Sequence, residues 1–358
     1  MKRPHFTPIF QAVIAAVLFG ASAPIAKLFL GDINPITLAG LLYLGCGFGL
    51  FIIVLFQKIA NKKEITEARI GKSDIGWLLG AIIAGGVAAP IVLLFGLRDT
   101  PGSTASLLLN FEGVATTLIA ALAFKEHVSK RTWLSIILIT SASIVLTMNL
   151  TGEWGFSFGA LGIILACVLW GIDNNFTRNI SLKNPISIVM IKGFVAGSFS
   201  TILALILGNK LPHIGVILLA LLLGCLSYGV SITLFIRAMR GLGASRASTL
   251  FGTSPLAGIA LSIVLLNESP NIWFLVALIL MVAGTLFVIF ENHSHKHLHF
   301  ATIHEHAHEH KDGHHSHNHD EILKHNKGKN HSHIHEHIEI EHEHEHMPDI
   351  DHRHIHNN

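Results

Sequence analysis

The sequence predicts an all-α membrane protein of ten transmembrane helices, arranged as two inverted five-helix repeats and followed by a disordered C-terminal tail. Three observations predict it. First, 51% of the 358 residues are hydrophobic and 13% charged, and this balance, with a mean hydropathy of +0.54, makes lipid the solvent for most of the chain. Second, ten apolar runs, each near the length needed to cross about 30 Å of hydrocarbon, follow one another as far as residue 290. Third, the composition then changes to alternating histidine and acid. The net charge of +2 hides this division: residues 1–292 carry 19 Lys/Arg against 11 Asp/Glu, whereas residues 293–358 carry 6 against 12, so a basic body precedes an acidic tail. The expected units are residues 1–150, 151–292 and 293–358.

The first run follows Lys2 and Arg3 and reaches Ala21-Ser22-Ala23, which together imitate a secretory leader with its cleavage site. Its apolar character continues to Leu30 and it has a partner in the second half, so it reads as a retained span at 8–30. Further spans are expected at 35–57, 74–97, 103–124 and 132–149, then at 158–180, 185–208, 213–236, 245–266 and 271–290. Open strands would leave backbone groups unpaired in lipid, so these runs are helices. Gly45, Gly47 and Gly49, and Gly193 with Gly197, allow close helix approach. Cys46, Cys167 and Cys225 each stand alone in an apolar run, which excludes a disulfide framework and a CxxC metal site.

Orientation follows from Lys and Arg. With a cytoplasmic N-terminus, fifteen fall in inner segments, including the basic loop 58–73, and three (Lys27, Arg98, Lys210) in outer ones. That asymmetry places both termini in the cytoplasm, in a membrane read as a bacterial inner membrane.

The two halves resemble each other. Phe19-Gly20 and Trp170-Gly171 open similar passages that run through Lys27 and Arg178 into Asn34-Pro35 and Asn184-Pro185. Ala105-Ser106 precedes Glu126 by the same spacing as Ala247-Ser248 precedes Glu268, with Arg98 and Arg240 in register. A five-span unit repeated once inserts its second copy upside down, and a binding site then falls between the halves near the midplane.

These passages, with Phe19-Gly20-Ala21-Ser22-Ala23-Pro24, Trp170-Gly171 and the endings at Glu126 and Glu268, resemble the EamA-type ten-span permeases of the drug/metabolite transporter superfamily over about residues 8–291. The resemblance implies alternating access, a central cavity lined mainly by spans one, three, four, six, eight and nine, and often export of small metabolites or amino acids. The chain departs from the family in its tail and in the Asp173-Asn174-Asn175 cluster of span six.

Ionisable residues inside spans are costly and are functional candidates by default. Asp173 and Lys192 lie at equal depth on neighbouring antiparallel helices and are expected to pair; whether the pair only fixes the hairpin or takes part in substrate binding stays open. Glu112 is expected ~18 Å deep in span four, making it a candidate proton carrier or substrate ligand, with a permanently protonated buried carboxyl as the alternative. Ser103, Ser106, Asn110, Gly113 and Thr117 form a polar stripe on that helix, with Glu112 on its flank. Asn110, Asn174 and Trp170 complete the substrate or coupling candidates. Pro24, Pro90 and Pro255 are read as packing kinks, and Lys27 as a residue that snorkels to the surface.

Between His293 and His356 stand 23 histidines, mostly in His-x-His order. Imidazole is a good ligand for zinc, nickel, cobalt and copper, and the interspersed acids favour a dication. The expected ligands are His293, His295, His297, His299, His304, His306, His308, His331, His333, His335, His337, His342, His344 and His346. Such a composition cannot build a core and is expected to be disordered without metal. His304-Glu305 with His308 matches the HExxH string, but alternation produces that match by chance, so metalloprotease chemistry is rejected.

The leading expectation is a secondary transporter, not an enzyme, exporting a small organic metabolite; protons are a possible coupling ion and the cytoplasmic tail binds divalent metal. The alternatives are export of the metal ion or a metal chelate, and a metal-responsive membrane sensor. The absence of a GxxxxGK[ST] loop removes support for ATP drive. No cofactor and no nucleic-acid partner are expected, and a homodimer is left open.

Overall fold

The computed structural model describes residues 6–59, 70–124, 128, 130–148, 157–180, 183–242 and 250–289, together with residues 294–299, 302–308, 331–337 and 340–345 of the tail. Ten apolar helical segments are present among them. Eight are long enough to cross a membrane: Thr7–Phe29, Pro35–Ile59, Lys72–Arg98, Gly102–Phe124, Lys130–Thr147, Phe158–Arg178, Pro185–Ile206 and Ile214–Ala238. The shorter pair, Ser254–Leu266 and Ile272–Phe287, supplies spans nine and ten. Large side chains such as Phe56, Leu122 and Ile206 are exposed on the bundle and face the bilayer.

The repeated Asn-Pro pairs have a local cause. Asn34 Oδ1 accepts from the Ile36 amide at 2.9 Å and Asn184 Oδ1 from the Ser187 amide at 3.0 Å, while Pro35 and Pro185 occupy the first helical position, where no backbone donor is needed. Both second spans therefore start by the same device.

Helix pairing follows a pseudo-two-fold exchange. Span two packs on span seven and span five on span ten; span six packs on spans three and four, as span one packs on spans eight and nine. The glycines expected to permit close approach lie at helix contacts, and Gly47 and Gly193 meet each other. A side chain on Gly193 would meet the Gly47 backbone nitrogen at 2.7 Å, and one on Gly197 the Leu44 nitrogen at 2.5 Å. The order of contacts is that of two five-helix units related by inversion.

Two irregularities also repeat. Span three is π-helical over Ile82–Ala88 and span eight over Cys225–Val230. Span four breaks at Leu109-Asn110 and span nine at Gly252-Thr253. Both pairs of positions keep, to within one residue, the offset that relates Glu126 to Glu268. Pro90 explains the first π segment: the Ala89 amide bonds to the Ala84 carbonyl, one residue further back than in an α-helix. In that register Gly85 would accept from residue 90, which as proline has no donor. Pro90 thus frees one carbonyl inside a wider turn rather than acting only as a kink. Pro255 likewise sits in the first turn of the helix after the break, where proline costs no hydrogen bond.

Part of the tail, expected to be disordered, has strand backbone over Ser294–His299, Thr302–His308, His331–His337 and Ile340–Glu345. The first pairs with the fourth and the second with the third, both antiparallel. Alternating sequence suits a strand, which is why composition alone missed it. Two-stranded ladders are marginal in water, so the tail still has no core among the described residues.

Candidate functional site

A cavity of ≈ 630 Å³ lies between the repeats. Its lining includes Phe19 and Ser22 of span one, Asn110, Glu112 and Thr116 of span four, Trp170 and Asn174 of span six, Tyr228 and Phe235 of span eight, and Phe251 and Ser254 of span nine. Thr132 and Ile136 of span five and Thr285 of span ten also contribute. Spans five and ten thus take part beside the expected ones, and span three contributes less than expected, Leu93 alone among the described residues. Span three is held back because its π segment packs on spans six and seven. The lining runs from mid-bundle toward the face that bears the N-terminus.

The break in span four shapes the site. Asn110 bonds to the Leu107 carbonyl and Glu112 to the Leu109 carbonyl, each three residues back, at 3.2 and 3.1 Å. Of the expected stripe, Ser103 turns to Glu268, whereas Ser106, Asn110, Gly113 and Thr117 line the cavity with Glu112; Ser106 Oγ also donates to the Gly102 carbonyl at 2.8 Å. Glu112 Oε1 accepts from Asn174 Nδ2 at 2.8 Å, and Thr116 Oγ1 accepts from the same amide at 3.1 Å.

Trp170 and Asn174 stand one helical turn apart and both face the cavity. The indole Nε1 of Trp170 donates to the freed Gly85 carbonyl at 3.1 Å, and Tyr43 Oη donates to it at 2.7 Å. Asp173 points elsewhere. Its carboxylate, 4% exposed, accepts from Lys192 Nζ at 2.7 and 2.5 Å and from Thr177 Oγ1 at 2.9 Å. A side chain at Gly85 would collide with that carboxylate, so the ion pair packs on the π segment outside the cavity lining.

At the opposite end of the bundle the helix ends are tied together. The first helix of span four follows Pro101, which has no capping side chain, and its opening amides need acceptors from elsewhere. Glu268 of the other repeat supplies them: Oε1 accepts from the Gly102 amide at 2.5 Å, and Oε2 from the Ser103 amide and hydroxyl at 2.8 and 2.6 Å. Asn267, in the left-handed conformation (φ 50°), turns the chain that presents it. Lys27, expected to snorkel, instead donates to the carbonyls of Leu97, Arg98 and Thr100 at 2.8, 3.3 and 2.6 Å. Unpaired carbonyls at a helix end attract a cation more strongly than the surface does.

The aromatic wall was not singled out in the sequence. Phe19 lies 5.2 Å from Phe251 and 6.1 Å from Tyr228, and Phe235 lies 4.5 Å from Phe251. The repeat offset could have found part of it, since it carries Glu112 onto Ser254 and marks the second broken helix.

Among the fourteen histidines expected as ligands, His293 and His346 lie outside the described residues. The others have a described backbone. Its register sets His295 opposite His344, His297 opposite His342, His304 opposite His335, His306 opposite His333 and His308 opposite His331. Among the described residues, His, Cys, Asp and Glu form no group of three or more able to hold a metal.

Comparison with known proteins agrees with this architecture. The model of the EamA-like transporter family matches twice, over residues 6–148 and 157–290. An "uncharacterized transporter" of Methanothermobacter thermautotrophicus (strain Delta H) is 31% identical over 295 residues, spanning 78% of this chain and 85% of that protein. Another "uncharacterized transporter", from Clostridium kluyveri, is 23% identical over 246 residues, 65% of this chain and 78% of its own. A solved structure described as "Crystal structure of protein" superposes with a TM-score of 0.58 at 18% identity, covering 78% of this chain and 95% of its own, and so shares the fold. The two matched segments coincide with the two five-helix units, and the chain belongs to the EamA-like transporter family.

Proposed function

We propose that this membrane transporter is a secondary-active exporter of a small organic metabolite, working by alternating access, with Glu112 at its binding and coupling site. The observation that carries the reading is the cavity itself: the space between the repeats holds a carboxylate beside a broken helix, while at the other end of the bundle Glu268 and Lys27 tie helix ends together. Discontinuous helices at a repeat interface supply such sites in secondary transporters. The excess of Lys and Arg in one set of loops argues that the cavity opens to the cytoplasm, the side from which an exporter loads. Its volume suits a metabolite rather than a polymer.

The tail is proposed to bind divalent transition metal at the cytoplasmic mouth. The His-opposite-His register of both ladders supports this, because directly opposed residues share one face. Bare metal as cargo is disfavoured by the donor set: among the described residues the cavity lining holds one carboxylate and neither histidine nor cysteine. Counterflow of a radiolabelled metabolite panel in vesicles, with and without a proton gradient, tests the reading. Gradient-driven flux that Glu112→Gln abolishes is expected; metal flux that persists without residues 293–358 would overturn it.

A further inference from the structure

We infer that the cavity takes an organic amine, a small monocation carrying an apolar or aromatic body, with Glu112 as its counter-charge. The inference rests on the proposed reading of the cavity as a substrate site and names the class it selects. Among the described lining residues, Glu112 is the one with a carboxylate or a basic side chain. Lys192, the intramembrane cation, is absent from that lining and is committed to Asp173 through both carboxylate oxygens. An anionic substrate would therefore meet a carboxylate as the only formal charge among the described lining residues, in a space whose dielectric screens that repulsion poorly.

The remaining walls suit a cation. Phe19, Tyr228, Phe235 and Phe251 form a contiguous aromatic surface in the same cavity, with Trp170 across from them on span six. Ring faces attract ammonium groups, most strongly where water is excluded. The carboxylate is also oriented. Asn174 holds Oε1 of Glu112 at 2.8 Å, and no bond to Oε2 is drawn from the neighbouring side chains Thr116 and Asn175, whose donors go to the carbonyls of Glu112 and of Thr116 and Gly171. A metal ion would need further donors, whereas an ammonium group needs one carboxylate and neutral acceptors, which Ser22, Asn110 and Thr117 provide in the lining. The pseudo-symmetric position is Ser254, so the site has one negative charge and fits a single positive one.

The test uses three probes of one shape and different charge: 2-phenylethylamine, 2-phenylethanol and phenylacetate. Calorimetric titration of the purified full chain is expected to give amine binding about tenfold tighter than the alcohol, with the acid weaker than both. Glu112→Gln is expected to reduce the amine to the level of the alcohol without lowering the melting temperature. Should that variant be unstable, Phe251→Leu gives a second reading, again with the preference for amine reduced. Phenylacetate binding as tight as the amine, or an undiminished amine preference in Glu112→Gln, would overturn the inference, as would absence of amine binding. Vesicle counterflow separates the two levels: an amine bound selectively but not carried refutes transport at this site, whereas carriage of the alcohol or acid in preference to the amine refutes the substrate class alone.

Discussion

Asn174 Nδ2 donates to Glu112 Oε1 at 2.8 Å, joining the polar cluster of one repeat to the broken helix of the other. The carboxylate at the cavity is thus aimed by a residue on a different span. Asn174→Ala removes a hydrogen bond to a charged acceptor, worth about 1.5–3 kcal/mol. Counterflow of a transported probe is expected to fall about tenfold, with thermal stability less affected; unchanged flux would show that the amide does not position Glu112.

Asp173 and Lys192 carry opposite charges into the bundle, at 6% and 14% side-chain exposure. Lys192→Met leaves a buried carboxylate without its partner and should cost about 3–5 kcal/mol, read as a lower melting temperature in detergent. The double variant Asp173→Asn with Lys192→Met should recover much of that loss. A double variant as unstable as the single would mean that the pair is not the unit that matters.

Gly85 abuts the Asp173 carboxylate and offers its carbonyl to Trp170 and Tyr43. Gly85→Ala has no room for its methyl and is expected to cost about 1–3 kcal/mol. Trp170→Phe, which deletes one donor to that carbonyl, should cost about 1 kcal/mol. Denaturation midpoints of the two variants would show whether the first exceeds the second.

Glu268 caps span four from the other repeat. Glu268→Ala should speed hydrogen exchange at the Gly102 and Ser103 amides and raise access from that end of the bundle, because the opening turn loses all three acceptor contacts. Exchange rates equal to those of the unaltered chain would mean that another group caps the helix.

Deleting residues 293–358 should abolish zinc and nickel binding by the purified protein and leave vesicle counterflow of the organic probe unchanged. Equilibrium dialysis and transport assays on one preparation check both halves of that expectation. Metal binding retained in the deleted chain would move the metal site into the membrane body.

How much was legible beforehand depended on whether the cause was local. Ten passes, the repeat offset and the Asn-Pro starts could be read because each arises within about twenty residues: an apolar run must satisfy its own backbone in lipid, and a capping asparagine acts on amides two or three positions away. Asp173 and Lys192 could be placed at one depth because a single short turn joins their helices. Lys27 was misjudged, since its acceptors lie on span three. Periodicity placed Ser106, Asn110, Gly113 and Thr117 of the span-four stripe at the cavity, whereas the break at Leu109-Asn110 could not be read from it.

By itself the sequence determined how many times the chain enters the bilayer, that its halves are copies, and which few residues carry charge into lipid. Tertiary structure alone decided which of those charges meets the cavity. Glu112 faces it and Asp173 does not, because that choice depends on helix rotation and on neighbours from the opposite repeat. Such neighbours stand far apart along the chain, and only the packed bundle brings them within the few ångströms over which a hydrogen bond or an ion pair acts.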